Sequence, residues 1–156
     1  MNPIPLWLRA VVAFILLPGI TAGLIPWLLA RWSGGSAGSP LGWVPLAVGV
    51  LLLIQGVAAF YRRGRGTLAP WDPPRRLVTE GLYRLTRNPM YLGVLGVVSG
   101  WALVSGSRPL AWYTIGLAVA FHLRVRFFEE PQLARAFGSE WQEYQDRVPR
   151  WLLRWP

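Results

Sequence analysis

Cysteine and lysine are both missing from this 156-residue chain, and histidine occurs once. Without cysteine there is no disulfide framework, no thiolate nucleophile and no sulfur-based metal site. His122 alone cannot assemble a zinc centre, so no metal is expected. Charged residues are scarce too, at 15% against 53% hydrophobic, far from the balance of a soluble domain. There is no P-loop, and Gly64-Arg65-Gly66 is far too short for a dinucleotide fingerprint. Nor does a serine–histidine–acid arrangement occur. Covalent catalysis and phosphate cradling therefore both lack their residues.

What is present points to lipid. So much apolar surface in so short a chain exceeds what one globular core can bury, and ten tryptophans suit the boundary between hydrocarbon and headgroups. Four apolar stretches predict an all-α integral membrane bundle in a single domain over residues 1–156, with spans at about 6–30, 41–60, 90–107 and 109–123. A hydrocarbon core of about 30 Å needs roughly 20 helical residues, so the fourth is short. The first carries a Pro18-Gly19 break, and its apolar run is too long for a signal peptide. Gly106-Ser107-Arg108 predicts a tight hairpin between the last two spans, with Pro109 in the first turn of the fourth. A flexible turn over Ser33–Pro40 separates the first two.

The net charge of +9 rests wholly on arginine. Seven arginines fall in the connector 62–88 and six after His122, against Arg31 and Arg108 in the two opposite turns. With four spans both basic segments share one side, which by the positive-inside rule is the cytoplasm. Both termini then lie in the cytoplasm, and the cell (inner) membrane is the expected location. Because these arginines flank apolar spans and no nucleic-acid fold signature accompanies them, nucleic acid is not an expected partner.

Three smaller features bear on packing. Gly96-Val97-Val98-Ser99-Gly100 has the small-xxx-small spacing of a close helix contact. Gln55, a strongly polar side chain in the second span, either lines a cavity or bonds to a neighbouring helix. In the tail 131–148, Leu133, Phe137, Trp141, Tyr144 and Val148 form an amphipathic stripe, interrupted at Gly138. That stripe predicts a helix lying flat on the membrane or against the other helices.

Two polar segments remain for chemistry, and both meet the cytoplasmic end of the last two spans. Asn88, ahead of Pro89, is placed as a helix N-cap. The helix that Pro89 begins has unpaired N–H groups suited to a carboxylate. Glu129 and Glu130 are adjacent acids at a membrane boundary, costly unless paired or functional. Ion pairs with Arg126 or Arg124, at helical spacing, are one reading. A ligand of mixed charge is the other.

The run Gly81-Leu82-Tyr83…Arg87-Asn88-Pro89-Met90-Tyr91-Leu92-Gly93 resembles the signature of the isoprenylcysteine carboxyl methyltransferase and phospholipid methyltransferase superfamily. So does Glu129-Glu130-Pro131-Gln132-Leu133 followed by Phe137-Gly138…Trp141…Tyr144…Arg147-Val148-Pro149-Arg150. The resemblance covers about half the chain, from Leu77 to Arg150. It implies an enzyme that uses S-adenosylmethionine to methylate a lipophilic, membrane-resident acceptor, either the carboxylate of an isoprenylated compound or the amine of a phospholipid. Leu77, Thr79, Tyr83, Asn88, Pro89, Met90, Tyr91 and Glu129 would then bind the cofactor, while Arg126 and Glu130 would serve the acceptor. Asn88 stands where the superfamily often has histidine, so no imidazole proton carrier is implied there. Two other classes share these terminal helices, namely an NADPH-dependent sterol or isoprenoid reductase and a non-catalytic protein of the same fold.

Overall fold

The computed structural model describes residues 5–34, 37–59, 62 and 76–151. Much of the arginine-rich connector, residues 63–75, thus lies outside the described residues, as do Phe60 at the end of the second expected span and Gly35-Ser36 of the first turn. Every regular element among the described residues is helical.

Helix α1 (Leu6–Phe14) runs through a π-helical stretch, Ile15–Leu24, into α2 (Ile25–Trp32). The expected break at Pro18 is instead a widening. Proline has no N–H to donate and its ring crowds the preceding turn, and a wider π turn is one way a helix accommodates this. A 3₁₀ turn at Pro40–Gly42 leads into α3 (Trp43–Ala59). After the connector, a second 3₁₀ turn (Gly81–Arg84) precedes α4 (Pro89–Ser105). Gly106, with φ 62° and ψ 18°, closes α4 in the left-handed conformation that glycine tolerates best. The Ser107 side chain caps α5 (Arg108–Arg124) by accepting from Leu110 N. A π turn, Val125–Glu129, joins α5 to α6 (Glu130–Arg147).

Two of these helical stretches, Val11–Trp32 and Pro40–Ala59, are long and apolar enough to cross a membrane, and Pro89–Ser105 is a shorter apolar helix. Large apolar side chains such as Trp27, Leu51, Ile54, Trp112 and Ile115 stand exposed around the bundle. Water would not tolerate so continuous an apolar face, whereas lipid would. This is a membrane protein.

Helix α4 is the central post. Val94, Val97 and Val98 are buried with Ala22, Leu53 and Leu110 in one cluster. Against α3 the contact is glycine on glycine. A Cβ added at Gly49 would meet Val97 N at 2.5 Å and Gly93 O at 2.6 Å, and one at Gly100 would meet Leu46 Cβ at 2.6 Å. The expected small-residue face of α4 is therefore a backbone contact with α3, met from the other side by Gly42 and Gly49. Gln55 is exposed and is not among the residues lining the cavity described below.

The two short turns share one end of the bundle. Ser33 Oγ bonds Ser107 Oγ at 2.9 Å, and Ser39 N donates to Leu103 O at 2.8 Å. The segment 76–88 and the chain beyond Arg124 gather at the other end. Trp141, Tyr144 and Val148 turn inward there and pack with Leu77, Leu133 and Phe137. At Gly138 (φ 51°, ψ −120°) the tail helix breaks where the sequence placed an interruption, so its stripe faces protein on both sides of the kink.

Candidate active site

A cavity of about 620 Å³ opens at that second end. Leu17, Leu53, Val94 and Phe121 give it an apolar wall, while Arg87, Tyr91, Arg124, Glu129 and Glu130 give it a charged one. Among the residues expected at a cofactor, Leu77, Tyr83, Asn88, Met90, Tyr91 and Glu129 line it together. Thr79 is half-buried and Pro89 is buried as the first residue of α4, and neither lines the cavity.

The backbone builds the charged wall through a change of helical register. Arg124 and Glu129 are five residues apart, which in an α-helix would leave their side chains about 140° from each other. The π turn Val125–Glu129 hydrogen-bonds from i to i+5 and brings such positions onto one side. Arg124 Nε consequently reaches Glu129 Oε1 at 2.8 Å and the Tyr91 hydroxyl at 3.2 Å. The Tyr91 hydroxyl donates to the same carboxylate oxygen in a short hydrogen bond. Among the described residues Glu129 Oε2 takes no hydrogen bond, and its side chain is 28% exposed. It is the carboxylate with an open oxygen.

Glu130 is engaged differently. Arg150 embraces it with both ends of its fork, Nε to Oε1 and Nη2 to Oε2, each at 2.7 Å. Arg87 Nη1 adds a third bond to Oε1 at 2.9 Å. Its hydrogen bond to Glu130 raises the Arg150 guanidinium above its ordinary value, against a smaller opposing effect of burial. For Arg87 the balance is reversed: burial lowers it, and Glu130 only partly compensates. Arg87 also lies over the Trp141 ring, 5.4 Å from its centroid, a contact worth about 0.5–2 kcal/mol.

Other expectations change in detail. Asn88 sits at the head of α4 but does not cap it with its side chain. Its amide Nδ2 donates instead to Arg150 O at 3.0 Å, because the chain 148–151 passes directly beside it. Of the pairings foreseen for the two acids, Arg124 with Glu129 forms. Arg126 pairs with neither, being exposed with its guanidinium 5.9 Å from the Phe127 ring centroid. Two helical residues beyond Arg124, it projects from roughly the opposite side and does not line the cavity.

Arg87, Arg124, Trp141 and Tyr144 were not singled out as site residues, yet they line the cavity. Tyr144 Oη donates to Tyr83 O at 2.8 Å, joining the tail helix to the 3₁₀ turn. Burial, reinforced by Tyr144, drives the Tyr83 phenol well above its ordinary range, and burial does the same to Tyr144. The amphipathic stripe of the tail carries a signal for Trp141 and Tyr144.

With this geometry in view, known proteins supply a further comparison. The family model described as phospholipid methyltransferase matches residues 41–140. A Delta(14)-sterol reductase of Mus musculus is 36% identical over 83 residues, covering 51% of this chain and 19% of the reductase. A phosphatidylethanolamine N-methyltransferase of Schizosaccharomyces japonicus is 31% identical over 98 residues, 62% of this chain and 10% of that protein. A protein-S-isoprenylcysteine O-methyltransferase B of Arabidopsis thaliana is 38% identical over 81 residues, 47% of this chain and 38% of that protein. The chain thus spans well under half the length of each of these relatives. No solved structure matches it.

Proposed function

The chain belongs to the phospholipid methyltransferase family, and we propose that it transfers a methyl group from S-adenosylmethionine to a lipophilic acceptor held in the bilayer. The observation that carries this reading is the two-sided cavity, with an open carboxylate and paired arginines on one wall and apolar helix surface on the other. Its volume of about 620 Å³ falls within the range of small-molecule sites, roughly 300–1,000 Å³. Glu129 Oε2 is suited to a hydroxyl or cationic part of the cofactor, and Arg124 and Tyr91 hold that carboxylate in one rotamer. Tyr83, Asn88 and Met90 complete this side, with Leu77 beneath. S-Adenosylmethionine supplies a sulfonium-activated methyl that is transferred by direct displacement. What remains for the protein is alignment in a dry pocket. Leu53, Val94 and Phe121 would seat the acceptor's apolar part and exclude water.

In the membrane we read four spans, with α4 and α5 as a hairpin. The Ser33–Pro40 and Gly106–Arg108 turns lie on the far side, and the cavity end, with both termini, faces the cytoplasm. The shared end of the two turns supports this arrangement. A second reading, a nicotinamide-dependent reductase, is favoured by the match to the sterol reductase.

Calorimetric titration of the detergent-purified chain separates the two. S-Adenosylhomocysteine should bind saturably, Glu129→Ala should abolish that binding, and NADPH should give no heat of binding. Binding of NADPH alone would replace the methyltransferase by the reductase.

A further inference from the structure

Beyond Val148 the chain runs as a short strap over the segment that delivers Tyr91. Arg87 N donates to Pro149 O at 3.0 Å, and Arg150 O accepts from Thr86 Oγ1 at 3.1 Å and from Asn88 Nδ2 at 3.0 Å. Trp151 Nε1 donates to His122 Nδ1 at 3.0 Å, with its ring 6.3 Å from that of Tyr91. Thr86 is fully buried beneath. The strap's one charged side chain, Arg150, is gripped at both ends by Glu130. It lies outside residues 41–140, the part matched by the family model.

From this we infer that Glu130 is a positioning residue, which latches the strap Val148–Trp151 and through it holds Tyr91 against Glu129. The inference rests on the methyltransferase reading only in naming the ligand whose affinity reports the latch. Three guanidinium N–H groups already point at the two oxygens of Glu130, so the acid is committed to cations on the strap and on the 3₁₀ side of α4. Glu130 borders the cavity, but a carboxylate held by three guanidinium N–H groups is a weak proton acceptor. Removing either end of the latch should therefore release the strap. The strap's backbone bonds to Thr86, Arg87 and Asn88 open, the head of α4 loosens, and ligand binding at Tyr91 and Glu129 weakens.

The experiment compares Glu130→Gln, Arg150→Gln, their double variant, Arg150→Lys and Thr86→Val in the full chain. Glu143→Gln serves as control, since its pair with Arg147 is exposed on the same helix. Two quantities are read: S-adenosylhomocysteine affinity by calorimetry, and hydrogen–deuterium exchange of the Arg87 amide. Each Gln single variant should lose about tenfold in affinity, and the double variant no more than Glu130→Gln alone, which already removes the pair with Arg150 together with that to Arg87. Arg150→Lys, which keeps the charge, should recover part of the loss. Exchange at Arg87 should rise in both Gln variants and in Thr86→Val, and stay at the wild-type rate in Glu143→Gln. Additive losses, or unchanged Arg87 exchange in Glu130→Gln, would overturn the latch. Wild-type protein that does not bind S-adenosylhomocysteine sinks the methyltransferase reading instead, and the exchange data then judge the strap alone.

Discussion

Replacing Gly49 by alanine tests the central architecture most directly. The new methyl carbon would lie 2.5 Å from Val97 N and 2.6 Å from Gly93 O, and both are backbone atoms of α4. No side chain can swing aside, so the helices must separate by nearly 1 Å to restore an ordinary contact. Overpacking of a tight core costs about 1–3 kcal/mol, and a backbone neighbour puts this case at the upper end. Alanine returns about 1 kcal/mol of helix propensity. The net expectation is a loss of about 2 kcal/mol. Gly116→Ala is the matched control, because a Cβ there meets nothing within 4 Å, and it should be neutral or slightly stabilising. Gly56→Ala is intermediate, since its Cβ would meet the flexible Met90 side chain, Cγ at 2.5 Å. Reversible unfolding in mixed detergent micelles, followed by helix content, gives the ranking. Equal stability of Gly49→Ala and Gly116→Ala would refute the backbone contact between α3 and α4.

Three more outcomes follow from single residues. Gly138→Ala forces a methyl group onto a backbone at φ 51° and ψ −120°; it should cost about 1–3 kcal/mol in the same unfolding assay, despite open space around the site. Ser107→Ala removes the cap of α5 and the partner of Ser33, so about 1 kcal/mol should be lost with S-adenosylhomocysteine affinity unchanged. Tyr83 and Tyr144 keep their phenolic protons to higher pH in the fold than in the unfolded chain. Stability should therefore be full below about pH 10 and fall as pH rises beyond it, in a chain with no lysine to titrate alongside. Tyr144→Phe should lower stability by about 1 kcal/mol near neutrality, through its lost bond to Tyr83 O. The alkaline fall should then be shallower, and an unchanged slope would contradict the assignment.

Long apolar runs and turn residues made most of the helical bundle legible in advance. Gly106, Ser107 and Pro109 mark the hairpin by local chemistry alone, and the structure uses each of them as read. Pro18 was misjudged because a proline inside a helix has two outcomes, rupture or widening, and only neighbouring helices decide between them. The tail stripe announced an apolar contact without saying with what. Its partners, Leu77 and the Tyr83 carbonyl, lie some 60 residues away, and no local periodicity encodes so distant a pairing. Asn88 was placed correctly at the head of α4, but its amide had a choice of acceptors. The carbonyl of Arg150 won because the strap brings it within 3.0 Å.

The pair Glu129-Glu130 shows most clearly what spacing can and cannot say. Consecutive residues on a helix diverge by about 100°, so two adjacent acids cannot serve one small site equally. That much follows from the sequence. Which acid keeps an open oxygen depends on the π turn, since its wider register carries Arg124 round to Glu129 and leaves Glu130 facing Arg87 and Arg150. With an ordinary α-helical turn Arg124 would be displaced from Glu129, and Arg126, four residues before Glu130, would compete for that acid. The helical register at Val125–Glu129 thus separates a carboxylate with an open oxygen from one fully engaged by arginines. Two identical side chains, one residue apart, come to stand in different surroundings.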